Sequence, residues 1–84
     1  MPDIIIYTTP VCPYCERAKK LLERKGLSYR EIDVMTDTKA RQDMVSKTKG
    51  RTSVPQIFIN DQHSGGSDEL YALERDGKLE ALLK

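Results

Sequence analysis

The sequence predicts an α/β fold, a four-stranded mixed sheet in the order β-α-β-α-β-β-α, with helices on both faces. Three observations predict it. Short runs rich in Ile, Val and Phe alternate with longer stretches of helical periodicity. The first two such runs enclose one helical stretch, which is the βαβ unit of a right-handed parallel crossover. The last two are separated only by Asn60-Asp61, a hairpin turn signal, so antiparallel strands complete the sheet. One domain is expected over residues 1–84, since a chain of this length supports a single core.

Taken in order, Asp3 to Tyr7 is a buried strand because Ile4, Ile5 and Ile6 are all β-branched. Thr8 to Val11 is a loop broken by Pro10. A helix then runs from Pro13 to Lys25, with proline in its first turn and Gly26 as its stop. Cys15, Ala18 and Leu22, flanked by Tyr14 and Leu21, form its inward face. Tyr29 to Val34 is the second strand, with Ile32 and Val34 toward the core. Asp37 or Thr38 opens a second helix through Thr48, striped by Ala40, Met44 and Val45 and ended by Gly50. Met35 and Met44 are expected as core fillers. Gln56 to Ile59 is the third strand, reached through Pro55, and Gln62 to Ser64 returns as a short edge strand. Gly65-Gly66 breaks the chain, and Ser67 caps a third helix with Asp68 and Glu69 in its first turn. That helix turns Leu70 and Leu73 inward and stops near Gly77. Leu79, Leu82 and Leu83 give a terminal helix one apolar edge. This is the plan of the thioredoxin fold.

Composition narrows the function. Lys plus Arg is 14 and Asp plus Glu is 13, so no net field favours nucleic acid or an anionic membrane. No apolar run approaches bilayer length. The start, Met1-Pro2-Asp3, has neither a basic segment nor a long apolar stretch, so no signal peptide is expected. A cytoplasmic location follows as an expectation, and isolated disulfides there are usually catalytic or redox-sensing.

The two cysteines have two residues between them in Cys12-Pro13-Tyr14-Cys15, between a strand and a helix. A helix start concentrates unpaired N–H groups and positive potential, which favours the thiolate, the reactive form. Cys12 is expected as the attacking thiolate, and Cys15, one turn deeper, as the resolving thiol. A structural zinc site wants four ligands, whereas two Cys and one His are available, so no metal is expected. A structural disulfide across so short a loop would constrain little of the unfolded chain. His63 is read as surface structure on an edge strand, away from the thiols.

Cys12-Pro13-Tyr14-Cys15 resembles the signature of dithiol glutaredoxins. Ser53-Val54-Pro55 is similar to that family's threonine-valine-proline motif, and Gly65-Gly66-Ser67-Asp68 to its paired-glycine and acidic motif. The runs Val54 to Asn60 and Asp68 to Leu73 most resemble bacterial glutaredoxins of the third type, and the similarity spans nearly the whole chain. By itself Val54-Pro55 fits an ordinary turn proline as well as a cis bond; the resemblance implies the cis form facing the active cysteine, with Val54 offering its backbone to an extended peptide. By itself Gly65 to Asp68 reads as a plain helix cap; the resemblance implies a seat for the α-amino acid end of glutathione on Gly66, Ser67 and Asp68.

The other glutathione carboxylate needs cations or amides, and here the chain departs from the family. Many glutaredoxins carry lysine where this chain has Thr9. Arg51, with Lys47 or Lys49, is the expected compensation, although a solvated helix end is an equal reading of these residues. Gln42 falls where relatives offer an amide, Ser53 keeps the hydroxyl of the usual threonine, and Tyr14 is expected half-exposed beside the site. The resemblance implies a glutathione-dependent thiol-disulfide oxidoreductase that reduces protein disulfides and glutathione mixed disulfides as an electron carrier. It implies glutathione as co-substrate with no bound cofactor, and a monomer acting on disulfide-bearing or glutathionylated proteins, ribonucleotide reductase being a family-level candidate. Potentials of glutaredoxins as a class, about −200 to −230 mV, allow the glutathione pool to drive such a cycle. Two rivals stand beside this reading: a thioredoxin-like carrier recharged by a flavoprotein reductase, and a module holding an iron-sulfur cluster between two chains.

Overall fold

The computed structural model describes residues 2–83, so Met1 and Lys84 of the expected 1–84 domain lie outside the described residues. The elements are β1 (Ile4–Thr8), α1 (Pro13–Arg24), β2 (Arg30–Asp33), α2 (Thr38–Lys47), β3 (Gln56–Ile59), β4 (Gln62–Gly65), α3 (Ser67–Arg75) and α4 (Leu79–Leu83). The sheet order is β2-β1-β3-β4. β1 is parallel to β2 and antiparallel to β3, and β3 is antiparallel to β4.

Strand alternation divides the core between the two sheet faces. Ile4, Ile6, Ile57 and Ile59 meet Ala18, Leu21 and Leu22 of α1, Leu70 of α3 and Leu79 of α4. Tyr7 and Phe58 point the other way, onto Val34 and onto Ala40 and Met44 of α2. The two rings meet edge to face, with centroids 5.8 Å apart. Register then decides where the site lies. Tyr7 pairs with Gln56 and Ile57 pairs with Gly65. The end of β1, the start of β3 and the end of β4 therefore share one edge of the sheet, and the loop holding Cys12, the Val54-Pro55 segment and the start of α3 converge there.

Several boundaries differ from expectation. β4 extends through Gly65, which pairs with Ile57 across an irregularity in the register. The N-cap of α3 is Gly66, not Ser67, which is the first helical residue. The cap works without a side chain because Glu69 reaches back and accepts from the Gly66 N–H at 2.8 Å, half of a capping box. Met35 is 65% exposed rather than a core filler, because it follows β2 in the loop before the α2 cap. Val34, just beyond β2, is buried instead and donates its N–H to Thr8 O at 2.9 Å.

Candidate active site

Cys12 is the N-cap of α1, in extended backbone conformation, with Pro13 in the first turn where its missing N–H is not needed. Its Sγ accepts from the Cys15 N–H at 3.1 Å. An amide donor aimed at sulfur from a helix start is a ready partner for charge on that sulfur. Cys12 is half-buried, and its Sγ lies 4.0 Å from the Val54 carbonyl oxygen. Both cysteines are free thiols.

Cys15 lies in the core, 1% exposed. Burial pushes its thiol up to about 12 from the ordinary 9.0, and the hydrogen bond and charge of Cys12 add to that. A backbone hydrogen bond from Thr9 and the Lys19 charge pull the other way. Lys19 itself is held by Glu16 at 2.9 Å and Glu31 at 3.1 Å. The two thiols therefore differ in kind: one reachable, with a donor aimed at it, and one buried and neutral.

A groove of about 170 Å³ opens beside them. The approach to β3 supplies Ser53, Val54 and Pro55, and the start of α3 supplies Gly66, Ser67 and Asp68. Tyr14, 53% exposed, contributes from α1. The Val54-Pro55 bond is cis. Gly66 is close-fitting, since a Cβ there would come within 3.3 Å of the Pro55 carbonyl oxygen. The Ser67 Oγ is buried without a hydrogen-bond partner in the described structure. A larger hollow, about 350 Å³ between β4, α3 and α4, contains neither cysteine, so its size does not make it the reaction site.

The other predicted residues separate by position. Arg51 lines the groove, whereas Gln42 on α2 is exposed and outside it. Thr9 touches Cys15 through its backbone and does not line the groove. Lys47 lies 6.0 Å above the Phe58 ring, on the α2 side of the sheet. His63 is on β4, with Nε2 2.7 Å from Gln56 Oε1; burial of the ring and the Arg51 charge make it less basic than usual.

Glu69 is a groove residue that sequence reasoning did not single out. Its Oε1 accepts from Arg51 Nη2 at 2.9 Å as well as from Gly66 N–H. Arg51 first, then that N–H, holds the Glu69 carboxyl below its ordinary range. The spacing Gly66-x-x-Glu69 carried the signal, hidden because glycine has no capping side chain. Among the described residues, no cluster of three or more His, Cys, Asp or Glu could hold a metal ion.

The family model described as Glutaredoxin matches residues 4–64. This chain belongs to the glutaredoxin family. It is similar to the glutaredoxin of Pseudomonas aeruginosa, 53% identical over 83 residues, covering 99% of this chain and 98% of that protein. It is likewise similar to glutaredoxin 3 of Escherichia coli K12, 51% identical over 84 residues and the full length of both. In three dimensions it is similar to buckwheat glutaredoxin, solved as a complex with glutathione, at a TM-score of 0.85 and 32% identity, covering 98% of this chain and 76% of that one. The four-stranded mixed sheet with flanking helices is thus the thioredoxin fold of this family, and the chain is a thiol-disulfide oxidoreductase.

Proposed function

We propose that this chain is a glutathione-dependent oxidoreductase in which Cys12 attacks and Cys15 resolves. The observation that carries the assignment is the amide of Cys15 aimed at Cys12 Sγ at the rim of the groove, while Cys15 stays buried. With a glutathione mixed disulfide, Cys12 thiolate attacks the glutathione sulfur. A Cys12–glutathione disulfide forms and the target thiolate leaves. A second glutathione thiolate then attacks that disulfide, frees Cys12 and departs as oxidised glutathione. With a protein disulfide, Cys12 captures one sulfur and the other leaves as thiolate. Cys15 then displaces the captured sulfur, passing its proton to the departing thiolate, and the Cys12–Cys15 disulfide remains for two glutathiones to reduce.

The environment of Cys15 suits this order. Two of the causes that hold its proton are the hydrogen bond and the charge of Cys12. Burial, the largest cause, persists, but these two weaken once Cys12 sulfur is in a mixed disulfide, so the Cys15 proton is held less tightly after a substrate is captured. Gly66, Ser67 and Asp68 are the proposed seat of an α-amino acid end, with the helix-start N–H groups for its carboxylate and the Asp68 carboxylate for its ammonium. Arg51 is the proposed cation for a substrate carboxylate, in place of the lysine that Thr9 replaces. The proposed partners are disulfide-bearing and glutathionylated proteins, met by a monomer in a reducing cytoplasm, where an isolated dithiol keeps cycling. The cycle as written needs no bound cofactor.

NADPH-coupled turnover of a small glutathionylated disulfide, with glutathione and its reductase, tests the reading. Turnover should require glutathione and vanish in Cys12→Ser. Cys15→Ser should keep deglutathionylation and lose reduction of protein disulfides. Turnover that persists without glutathione and needs thioredoxin reductase instead would refute it.

A further inference from the structure

Behind the Val54-Pro55 segment lies a buried amide that the catalytic cycle above does not use. Gln56, the first residue of β3, is fully buried. Its Nε2 donates to the Ser53 carbonyl oxygen at 3.0 Å and to Ser53 Oγ at 3.2 Å. A carbonyl oxygen only accepts, so the NH2 end of the amide must face Ser53. Gln56 Oε1 then faces the other way, where His63 Nε2 stands 2.7 Å off. An amide oxygen also only accepts, so the proton of His63 must be on Nε2. The His63 ring is fixed in turn by stacking on Phe58, with centroids 5.0 Å apart and planes 29° apart.

Three side chains thus form one line: His63 orients Gln56, and Gln56 holds Ser53. The next residue along is Val54, which lines the groove and places its carbonyl oxygen 4.0 Å from Cys12 Sγ. Ser53 is exposed, and the described structure gives its hydroxyl no other side-chain partner. The amide is thus a polar tie between Ser53 and the sheet, beside the packing of Val54 against the Tyr7–Phe58 cluster and the burial of Pro55.

We propose that Gln56 is a positioning residue for the disulfide substrate, set by His63, which fixes Ser53 and hence the Val54 backbone against which the substrate lies beside Cys12. The proposal rests on the reading that substrate occupies the groove. Its effect is on orientation: a wall that drifts costs productive placement of the target sulfur, while Cys12 itself is untouched. It should therefore appear with substrates that use the groove and not with a small reagent that needs only the sulfur.

Steady-state kinetics on a glutathionylated peptide, with Gln56→Met, Gln56→Glu and His63→Phe, test this. Gln56→Met keeps the side chain's length and removes both polar ends. Gln56→Glu keeps an acceptor for His63 and removes the donor to Ser53. His63→Phe keeps the ring on Phe58 and removes the proton. The two Gln56 variants should lose about tenfold in kcat/KM, chiefly through KM. Alkylation of Cys12 by iodoacetamide should stay within about twofold of the parent. His63→Phe should lose less, and the double variant His63→Phe with Gln56→Met should be no worse than Gln56→Met alone, because the two act in series. Unchanged KM in Gln56→Met, or losses that multiply in the double variant, would overturn the proposal, as would alkylation slowed as much as turnover. If the parent chain shows no glutathione-dependent turnover, the functional reading fails separately. The amide ¹⁵N order parameters of Ser53 and Val54 then decide the positioning claim: they should fall in Gln56→Met, and unchanged values would end it.

Discussion

Cys12 and Cys15 are three positions apart, yet the fold treats them oppositely. Two consequences can be measured on the reduced protein. Iodoacetamide at neutral pH should label one thiol, Cys12, in the folded chain and both after unfolding, as counted by intact mass; equal labelling of Cys15 in the folded state would contradict its burial. The second consequence concerns alkaline pH. The folded chain holds the Cys15 proton up to about 12, whereas an unfolded thiol releases it near the ordinary 9.0. The folded state thus binds more protons across that window, so the contribution to stability is complete below the lower value and declines as pH rises toward the upper. Urea denaturation of the parent should show this decline, and Cys15→Ala should show less of it, the remainder coming from Tyr29, Lys19 and Lys25, whose protons the fold also holds more tightly. At this scale the cysteine pair was legible from residue type and spacing, whereas the Ser53 to Pro55 and Gly66 to Asp68 stretches stood out only through the family resemblance. Gln56 was not. An amide at the head of a strand looks like any polar strand residue until its two ends are seen to have partners.

α1, α2 and α3 share one way of stopping. At the end of α1, Gly26 takes φ +70° and the Leu27 N–H reaches the Leu22 carbonyl at 3.0 Å. After α3, Gly77 takes φ +73° and the Lys78 N–H reaches the Leu73 carbonyl at 2.9 Å. α2 closes in the same pattern, Gly50 N–H to Val45 O at 2.8 Å, but the left-handed position is filled by Lys49 at φ +61°. A side chain there costs about 1–2 kcal/mol, and glycine returns part of that as unfolded-chain entropy. Lys49→Gly should therefore stabilise the chain by roughly 0.5–1 kcal/mol, read as a higher denaturation midpoint. At the other end of α2, Asp37 Oδ1 accepts from the Ala40 N–H at 3.0 Å. Asp37→Ala should cost about 1 kcal/mol by the same measurement. Helix starts were legible from Pro13 and Asp37. The α2 stop was placed on Gly50, one residue late, because a lysine gives no sign that it will adopt a glycine conformation.

Across the whole molecule the sheet separates two cores, and each should fail on its own when hollowed. Leu22 and Met44 are both fully buried, one under α1 and one under α2. Leu22→Ala and Met44→Ala should each cost roughly 2–5 kcal/mol. Domains of this size have in total about 4–13 kcal/mol. Either change should therefore lower the denaturation midpoint measurably, and the two losses should add, because the sites lie on opposite faces of the sheet. The same sheet also builds the site. Antiparallel pairing of β1 with β3 and of β3 with β4 brings three segments distant in the chain to one edge.

Local chemistry was settled by the chain's own residues: a dithiol at a helix start, apolar runs of strand length, capping and stopping signals, and a family resemblance carried by three short motifs and two longer runs. All but the resemblance follow from near-neighbour sterics, periodicity and charge, which need no knowledge of the fold. What the tertiary structure decided was every relation between distant segments. It set Cys12 Sγ against Val54 O, gave Arg51 to Glu69, left Gln42 outside the groove, and tied His63 through Gln56 to Ser53. Those pairings depend on strand order and register, and register is fixed by the packing of both sheet faces at once, which no local stretch of sequence contains.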